Sequence, residues 1–304
     1  MAKVVFVHGV GKQYLSEDSM ARDVVPELLG GARLAGGPVP ATGDVSIAFY
    51  GDLFRPRGTR AGHEPDYDAT DIQSDDEVRL LMEWWVEAAR TDPGVPAPNE
   101  SGTRGPVGWA LSQTVRFKLV RAALDALTGA RFFGGVLDRT LIGDLKQLTS
   151  YFNDEALRAE ARGRLAARIT PETRVVVAHS LGSVIAYETL CEEAHSDWHI
   201  QMLVTLGSPL GMGTLVLDRL RPKAENRKGV WPTVVQRWTN IADATDVVAV
   251  VRELRPIFGS TLADVAVYNG AHMHDATRYL TAIETGRAVV AGLRQGGEAT
   301  ACDI

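Results

Sequence analysis

The fold is decided by one stretch, Val175-Val176-Val177-Ala178-His179-Ser180-Leu181-Gly182-Ser183-Val184. An apolar, β-branched run leads directly into a small-x-Ser-x-Gly turn, and apolar residues at helical spacing follow it. This order predicts a buried strand, a sharp turn at Ser180 and a helix. Small residues at Ala178 and Gly182 let the two arms of such a turn pass close to each other.

Short apolar runs at five other places predict further strands. Together with the run before Ser180, the predicted strands are residues 4–7, 45–49, 174–178, 201–206, 234–238 and 264–267. Because apolar strands alternate with helical patterns, the sequence predicts an α/β protein with a mostly parallel sheet flanked by helices. A last helix is expected over residues 276–293. We interpret residues 1–304 as a single domain of this class.

A long stretch between the second and third predicted strands, at about 54–170, breaks this alternation. Helical periodicity recurs there at 76–90, 107–128 and 137–168, with a Pro- and Gly-rich loop at 93–106. The stretch predicts a large, cap-like helical insertion. Its large aromatic side chains either line a pocket for an apolar acyl chain or pack the insertion onto the sheet. These side chains are Trp84, Trp85, Trp109, Phe117, Phe132 and Phe133.

Two further motifs adjoin predicted strands. The chain begins with Val4-Val5-Phe6-Val7-His8-Gly9-Val10-Gly11-Lys12, in which a strand ends in a glycine-containing loop. A phosphate-binding loop is the alternative interpretation, but Gln13 stands where such a loop needs Ser or Thr, and the glycine spacing does not fit a dinucleotide site. The other motif is Val204-Thr205-Leu206-Gly207-Ser208-Pro209-Leu210-Gly211.

Together the three motifs resemble the α/β-hydrolase superfamily, specifically its lipase-like bacterial branch. The resemblance covers the sheet-forming parts, a little over half of the chain, and not the helical insertion. It implies a nucleophilic Ser180, followed along the chain by an acid and then a histidine. The sequence departs from the pattern in two ways. Ala178 replaces the commoner first glycine of the turn, and we expect the two leading strands of the full fold to be lacking.

Two backbone N–H groups are expected to form the oxyanion hole of such a site. The residue after the nucleophile supplies one of them, and the loop after the first strand of the chain supplies the other. In this sequence they belong to Leu181 and Val10. The helix that begins after Ser180 also directs the N–H groups of its first turn towards the place where an oxyanion forms.

The resemblance places the catalytic acid after a later strand, and two aspartates compete for the role. The run Thr239-Asn240-Ile241-Ala242-Asp243-Ala244-Thr245-Asp246-Val247-Val248 follows the strand predicted at 234–238. Asp246 precedes Val-Val, similar to the stretch that follows the acid in lipases, and we prefer it. Asp243 is the alternative.

The catalytic histidine is expected in the loop before the last helix, Val267-Tyr268-Asn269-Gly270-Ala271-His272-Met273-His274-Asp275. We prefer His274, which stands directly before the helix and five residues ahead of Tyr279, similar to the pattern of lipase-like relatives. His272 is the alternative. We interpret His179 as a packing side chain and His8 as part of the oxyanion loop.

Composition and charge narrow the class of protein. Apolar residues make up 45% and charged residues 23% of the chain, as in an average globular protein. The formal charge of −6 gives no basis for expecting nucleic acid as a partner. Cys191 and Cys302 cannot build a disulfide framework, which indicates a reducing compartment. We find neither a signal peptide nor an apolar run of about 20 residues, and we expect a cytoplasmic protein.

The sequence-based hypothesis is a serine hydrolase that cleaves a small-molecule or lipid ester through an acyl-enzyme, with no metal or organic cofactor. A lipid or phospholipid substrate would bring the protein into peripheral contact with a membrane. The five aspartates between residues 66 and 76 match no metal motif and predict a surface loop. The alternatives are an amidase or thioesterase with the same residues, a non-catalytic binding or signalling module, and a nucleotide-binding protein. The sequence indicates no oligomeric state.

Overall fold

A six-stranded sheet lies at the centre of the protein in the computed structural model, which describes residues 2–55, 65–98, 113–129 and 138–294. The strands are β1 (Val4–Val7), β2 (Val45–Ala48), β3 (Val175–His179), β4 (Met202–Leu206), β5 (Trp238–Asp243) and β6 (Ala263–Val267). Every neighbouring pair is parallel, in the order β2-β1-β3-β4-β5-β6.

Helices cover both faces of this sheet. The described helices are α1 (Glu17–Leu34), α2 (Asp75–Thr91), α3 (Gln113–Thr128), α4 (Asp138–Asn153), α5 (Glu155–Ala166), α6 (Leu181–Leu190), α7 (Arg255–Phe258), α8 (Ala276–Thr281) and α9 (Ile283–Leu293). Successive side chains of a strand point to opposite faces. Val4 and Phe6 therefore pack with α1, α8 and α9, whereas Val5 and Val7 pack with α2 to α6. The predicted α/β class, with a parallel sheet flanked by helices, is confirmed.

The parallel arrangement brings the carboxyl ends of the strands to one edge of the sheet. Val7 at the end of β1 pairs with Ala178 near the end of β3, so the loop that begins at His8 lies next to Ser180. Strand β5 ends at Asp243 on the same edge. Val267 at the end of β6 pairs with Asp243, so all four stretches in which site residues were predicted meet at this edge.

The strand predicted at residues 234–238 was placed too early. The structure begins β5 at Trp238, and Val235 forms only an isolated bridge with Ile200. The register explains the difference, because the apolar run Leu203–Leu206 of β4 pairs with Trp238–Ile241. Asp243 is consequently the last residue of a strand, and Asp246 lies three residues beyond it.

The helix predicted at residues 276–293 is two helices. Ala282 has extended backbone angles, φ −59° and ψ 137°, and separates α8 from α9. The Tyr279 carbonyl accepts the hydroxyl of Thr285 at 2.6 Å and the N–H of Ala282 at 3.3 Å, so the last turn of α8 is closed without continuing the helix. Tyr279 therefore belongs to a short helix directly after the loop that carries His274.

The β2–β3 segment, residues 49–174, contains α2 to α5. The helices predicted at 76–90 and 107–128 correspond to α2 and α3, although residues 107–112 lie outside the described part of the chain. The helix predicted at 137–168 is interrupted at Asp154, whose carboxylate accepts the N–H of Leu157 at 3.1 Å and so begins α5. The aspartates at 75 and 76 form the first turn of α2 rather than a loop.

A buried ion pair joins this segment to the helix that follows Ser180. Arg158 of α5 and Glu188 of α6 have side chains that are 4% and 0% exposed. The Nε of Arg158 donates to Glu188 at 2.9 Å, and the hydroxyl of Tyr151 donates to the same carboxylate at 2.6 Å. A third donor is the backbone N–H of Arg221, at 3.0 Å. The carboxylate is therefore compensated from three separate parts of the chain.

We expect Arg158→Ala to lower the free energy of unfolding by about 3–5 kcal/mol, because it leaves a buried carboxylate without its counter-charge. Urea denaturation measures the change. Arg164→Ala is the matched control, since it breaks an ion pair with Asp52 whose side chains are 32% and 36% exposed. The control should cost about 0–1 kcal/mol. Equal losses in the two variants would contradict the prediction.

Candidate active site

Ser180 occupies a strained turn between β3 and α6. Its backbone angles are φ 53° and ψ −127°, in a region that residues other than glycine rarely adopt. A Cβ atom at Gly182 would lie 2.4 Å from the carbonyl oxygen of His8, so the turn requires glycine there. Ser183 donates its hydroxyl to the Ser180 carbonyl at 2.6 Å and fixes the turn from within the helix. The strand, turn and helix thus present Ser180 at the carboxyl edge of the sheet.

His274 lies within hydrogen-bond distance of Ser180. Its Nε2 is 2.9 Å from the Ser180 Oγ. Asp275, the next residue, begins α8 by accepting the N–H of Thr277 at 2.7 Å, and this cap holds the end of the loop. His272 is exposed, and no hydrogen bond joins its ring to Ser180 among the residues that the structure describes. The structure therefore brings His274, rather than His272, to the serine.

Asp246 completes a chain of hydrogen bonds that begins at Ser180. Its Oδ2 is 2.7 Å from the Nδ1 of His274. Its Oδ1 accepts the N–H groups of Val248 at 2.9 Å and Ala249 at 3.3 Å. The residue is fully buried. A buried carboxylate needs such donors, since burial without them is costly.

Asp243 has a different role. Its Oδ1 accepts the N–H and hydroxyl of Thr245 at 2.8 and 2.6 Å, and its Oδ2 accepts the N–H of Asn269 at 2.5 Å. These bonds hold the turn after β5 against the loop that leads to His274. Asp243 thus supports the loops that carry Asp246 and His274 without forming a hydrogen bond to the His274 ring within the described residues.

Tyr279 is a site residue that the sequence analysis used only as a marker for the position of His274. Its hydroxyl donates to the Oδ2 of Asp246 at 2.8 Å and accepts the N–H of Asp243 at 2.8 Å. Burial, and then the Asp246 carboxylate, raise the pKa of Tyr279 well above its ordinary value, so it remains a donor. The sequence feature that could have pointed to Tyr279 is its position five residues after His274.

Gly207 and Ser208, from the third motif, border the same group. Gly207 has φ 53°, and a Cβ there would lie 2.7 Å from the Oδ2 of Asp246. The Ser208 hydroxyl is 2.7 Å from that of Ser183, the residue that holds the turn at Ser180. The motif therefore leaves room for the Asp246 carboxylate and the His274 ring, and it supports the turn at Ser180.

Val10 and Leu181 both lie close to Ser180. Leu181 is the first residue of α6, and Val10 borders the cavity next to the serine. The loop approaches Ser180 closely, since a Cβ at Gly9 would be 3.4 Å from the Oγ. Gln147 of α4 holds the loop by accepting the N–H of Gly11 at 3.1 Å, a contact that no local motif signals.

Two further histidines surround the serine and are held in the neutral form. Burial lowers the pKa of His8 to about 3, and its Nδ1–H donates to the Gly9 carbonyl while its Nε2 accepts the N–H of Tyr50. Burial, and then the neighbouring His274, lower the pKa of His179 well below its ordinary value. The Nε2–H of His179 donates to the His274 carbonyl at 3.0 Å. Both rings are therefore uncharged beside Ser180.

A cavity of about 380 Å³ adjoins Ser180 and His274. Its apolar lining residues include Phe6, Leu15, Met20 and Val24. Its charged lining residues are Lys12, Asp23, Asp144 and Asp275. The β2–β3 segment contributes Thr140 and Asp144 to the lining.

The aromatic residues that the sequence offered as pocket lining lie elsewhere where they are described. Trp84 and Trp85 are buried in the core, 3% and 6% exposed. Phe117 borders a separate cavity of about 670 Å³. Trp109, Phe132 and Phe133 lie outside the described residues.

The described residues hold no group of three His, Cys, Asp or Glu side chains arranged to bind a metal ion. Within the same ranges, no helix has both the length and the apolar character needed to cross a bilayer. No model of a known protein family matches this chain, and no curated protein matches it.

Proposed function

We propose that this protein is a serine hydrolase of the α/β-hydrolase fold that cleaves carboxylic esters through an acyl-enzyme on Ser180. The observation that carries the proposal is the unbroken chain of hydrogen bonds from Ser180 through His274 to Asp246, at 2.9 and 2.7 Å. Its members come from three separate loops at one edge of the sheet. The strained turn at Ser180 supports the same function, because strain is found where an active site requires it.

In this proposal each group has its own step in the reaction. Asp246 accepts a hydrogen bond from the Nδ1–H of His274 and stays ionised, which keeps the Nε2 lone pair facing Ser180. The Ser180 oxygen bonds to the ester carbon as its proton passes to Nε2, and His274 then returns the proton to the departing alcohol oxygen. A water molecule then gives a proton to the same nitrogen and attacks the acyl carbon, which releases the carboxylic acid product and restores the Ser180 hydroxyl.

In the proposed mechanism the N–H groups of Leu181 and Val10 stabilise the oxyanion. Leu181 is the first residue of a helix, and the first N–H groups of a helix have no partner within it and can bind an anion. Val10 comes directly after Gly9, which lies close to Ser180. In this proposal the β2–β3 segment is a helical insertion into the fold. It shapes the site through α4, which supplies Gln147 to the oxyanion loop and Asp144 to the cavity.

The cavity favours neutral esters over phosphate-bearing ones. Among its described lining residues, three carboxylates face one lysine, so an anionic head group would be repelled. We expect kcat/KM for dibutyrylglycerol to exceed that for dibutyrylglycerol phosphate by about tenfold at low ionic strength, and the ratio to shrink in salt. Asp23→Asn should also reduce the ratio. Equal rates at low salt would contradict the substrate part of the proposal.

A fluorophosphonate probe tests the function itself. The wild-type protein should be labelled on Ser180, as located by peptide mapping, and should hydrolyse p-nitrophenyl butyrate. Ser180→Ala should do neither, whereas Ser196→Ala, an exposed serine, should behave as the wild type. A wild-type protein that is folded yet neither labels nor hydrolyses would favour a non-catalytic module.

A further inference from the structure

Arg252 connects the turn at residues 243–246, which carries Asp246 and is called the acid turn below, to the β2–β3 segment. Its Nη2 donates to the Glu87 carboxylate of α2 at 2.5 Å. The Glu87 side chain is 6% exposed and also accepts two hydrogen bonds from Arg90, at 2.9 and 2.6 Å. Burial opposes ionisation of Glu87, but the two arginines hold its pKa below the ordinary value. A charged carboxylate is therefore fixed beside Arg252.

The same guanidinium group binds both ends of the turn that carries Asp246. Its Nε donates to the Asp243 carbonyl at 3.2 Å, and its Nη2 donates to the Asp246 carbonyl at 3.2 Å. The turn itself is closed by the Asp246 N–H, which donates to the Asp243 carbonyl at 3.1 Å. Arg252 thus spans the turn in the manner of a clamp.

The backbone of Arg252 is fixed independently of its side chain. Its carbonyl accepts the Nδ2 of Asn240 in β5 at 2.8 Å. Asp264 of β6 accepts that same Nδ2 at 3.0 Å and the N–H of Leu254 at 2.9 Å. The guanidinium group therefore extends from a rigid base, and Glu87 determines where its Nη2 lies.

We propose that Arg252 is a positioning residue for Asp246 and that Glu87 holds it in place. The inference rests on the proposed function, in which Asp246 orients His274. It gives α2 a part in catalysis, although α2 contributes no side chain to the lining of the cavity next to Ser180. Loss of the clamp lets the turn relax, and a displacement of about 1 Å in a catalytic group can cost about 10²-fold in rate.

The test compares four variants with p-nitrophenyl butyrate as substrate. Arg252→Ala should lower kcat by about 10- to 100-fold with KM nearly unchanged. Glu87→Gln and Arg252→Lys should each lower kcat by less. Arg90→Ala is the matched control, because Arg90 binds the same carboxylate but makes no contact with the acid turn, and it should keep the wild-type kcat.

Two readouts separate positioning from general loosening of the fold. The acid limb of the kcat/KM profile depends on how the surroundings of Asp246 stabilise the protonated His274 ring, so it should shift in Arg252→Ala and keep its wild-type position in Arg90→Ala. Added guanidinium at millimolar concentration should restore part of the rate of Arg252→Ala and leave Arg90→Ala unchanged.

Outcomes for the inference and for the function are distinct. A wild-type protein that fluorophosphonate does not label overturns the proposed function. A labelled wild type, with an Arg252→Ala variant that is folded and has unchanged kcat and pH profile, overturns the inference alone. An equal loss in Arg90→Ala also overturns it. If Arg252→Ala does not fold, Glu87→Gln and Arg252→Lys decide, and wild-type kcat in both would overturn the inference.

Discussion

Replacing His274 by alanine is expected to lower kcat by about 10⁶-fold, because serine, histidine and acid act as a unit and the serine then lacks its base. The 2.9 Å contact between Nε2 and the Ser180 Oγ is the reason for proposing this ring as the acceptor of the serine proton. KM should change little, since His274 acts on the reacting bond. Burst and steady-state kinetics with p-nitrophenyl butyrate measure the loss.

His272→Ala is the control for this prediction, since the exposed His272 is two residues away in the same loop. It should keep the wild-type kcat. The buried rings of His8 and His179 are expected to be poor substitutes for the lost base, because burial lowers the pKa of each. A loss of activity in His272→Ala, with His274→Ala active, would reverse the assignment of the base.

Replacing Asp246 by asparagine should lower kcat by about 10⁴-fold through a change of tautomer. The N–H groups of Val248 and Ala249 both donate to Oδ1, so the amide oxygen must take that position. The amide nitrogen then faces His274 and donates to Nδ1, which moves the ring proton to Nε2. Ser180 would meet an N–H in place of a lone pair.

Asp243→Asn is the matched control for Asp246→Asn. Asp243 accepts hydrogen bonds from Thr245 and Asn269, so its replacement should loosen the turn and lower stability by about 1–3 kcal/mol. Its effect on kcat should be far smaller than that of Asp246→Asn. NMR of the imidazole nitrogens would show the tautomer of His274 directly. A severe loss in Asp243→Asn, together with a mild one in Asp246→Asn, would exchange their roles.

The sheet could be predicted from the sequence because its strands are local and apolar. Val4–Val7 and Val175–His179 are fully buried runs, and the turn that follows the second of them carries its own signature at Ser180. The start of β5 could not be read in this way, since residues 234–238 and 238–243 both have strand-like composition. Pairing with Leu203–Leu206 decides between them, and a pairing partner lies outside any local window.

The residues around the site also differ in whether a local sequence pattern marks them. Ser180, Asp246 and His274 stand in loops next to predicted elements, and the order along the chain narrowed the choice to a few candidates. Arg252 and Gln147 act through contacts that span 165 and 136 residues, and no motif marks them. The aromatic residues of the β2–β3 segment could not be placed, because an apolar side chain packs equally well in a core or along a cavity.

The hydrogen bond from the His179 ring to the His274 carbonyl ties two neighbours of the reacting atoms together. His179 directly precedes the serine, so a displacement of the loop that carries the histidine pulls on the end of β3 as well. Ser180 and the His274 ring are therefore expected to move together during thermal fluctuations of the protein. If a bulky ester displaces this loop, we expect the entrance of the cavity to widen while the distance between the Ser180 Oγ and the His274 Nε2 stays the same.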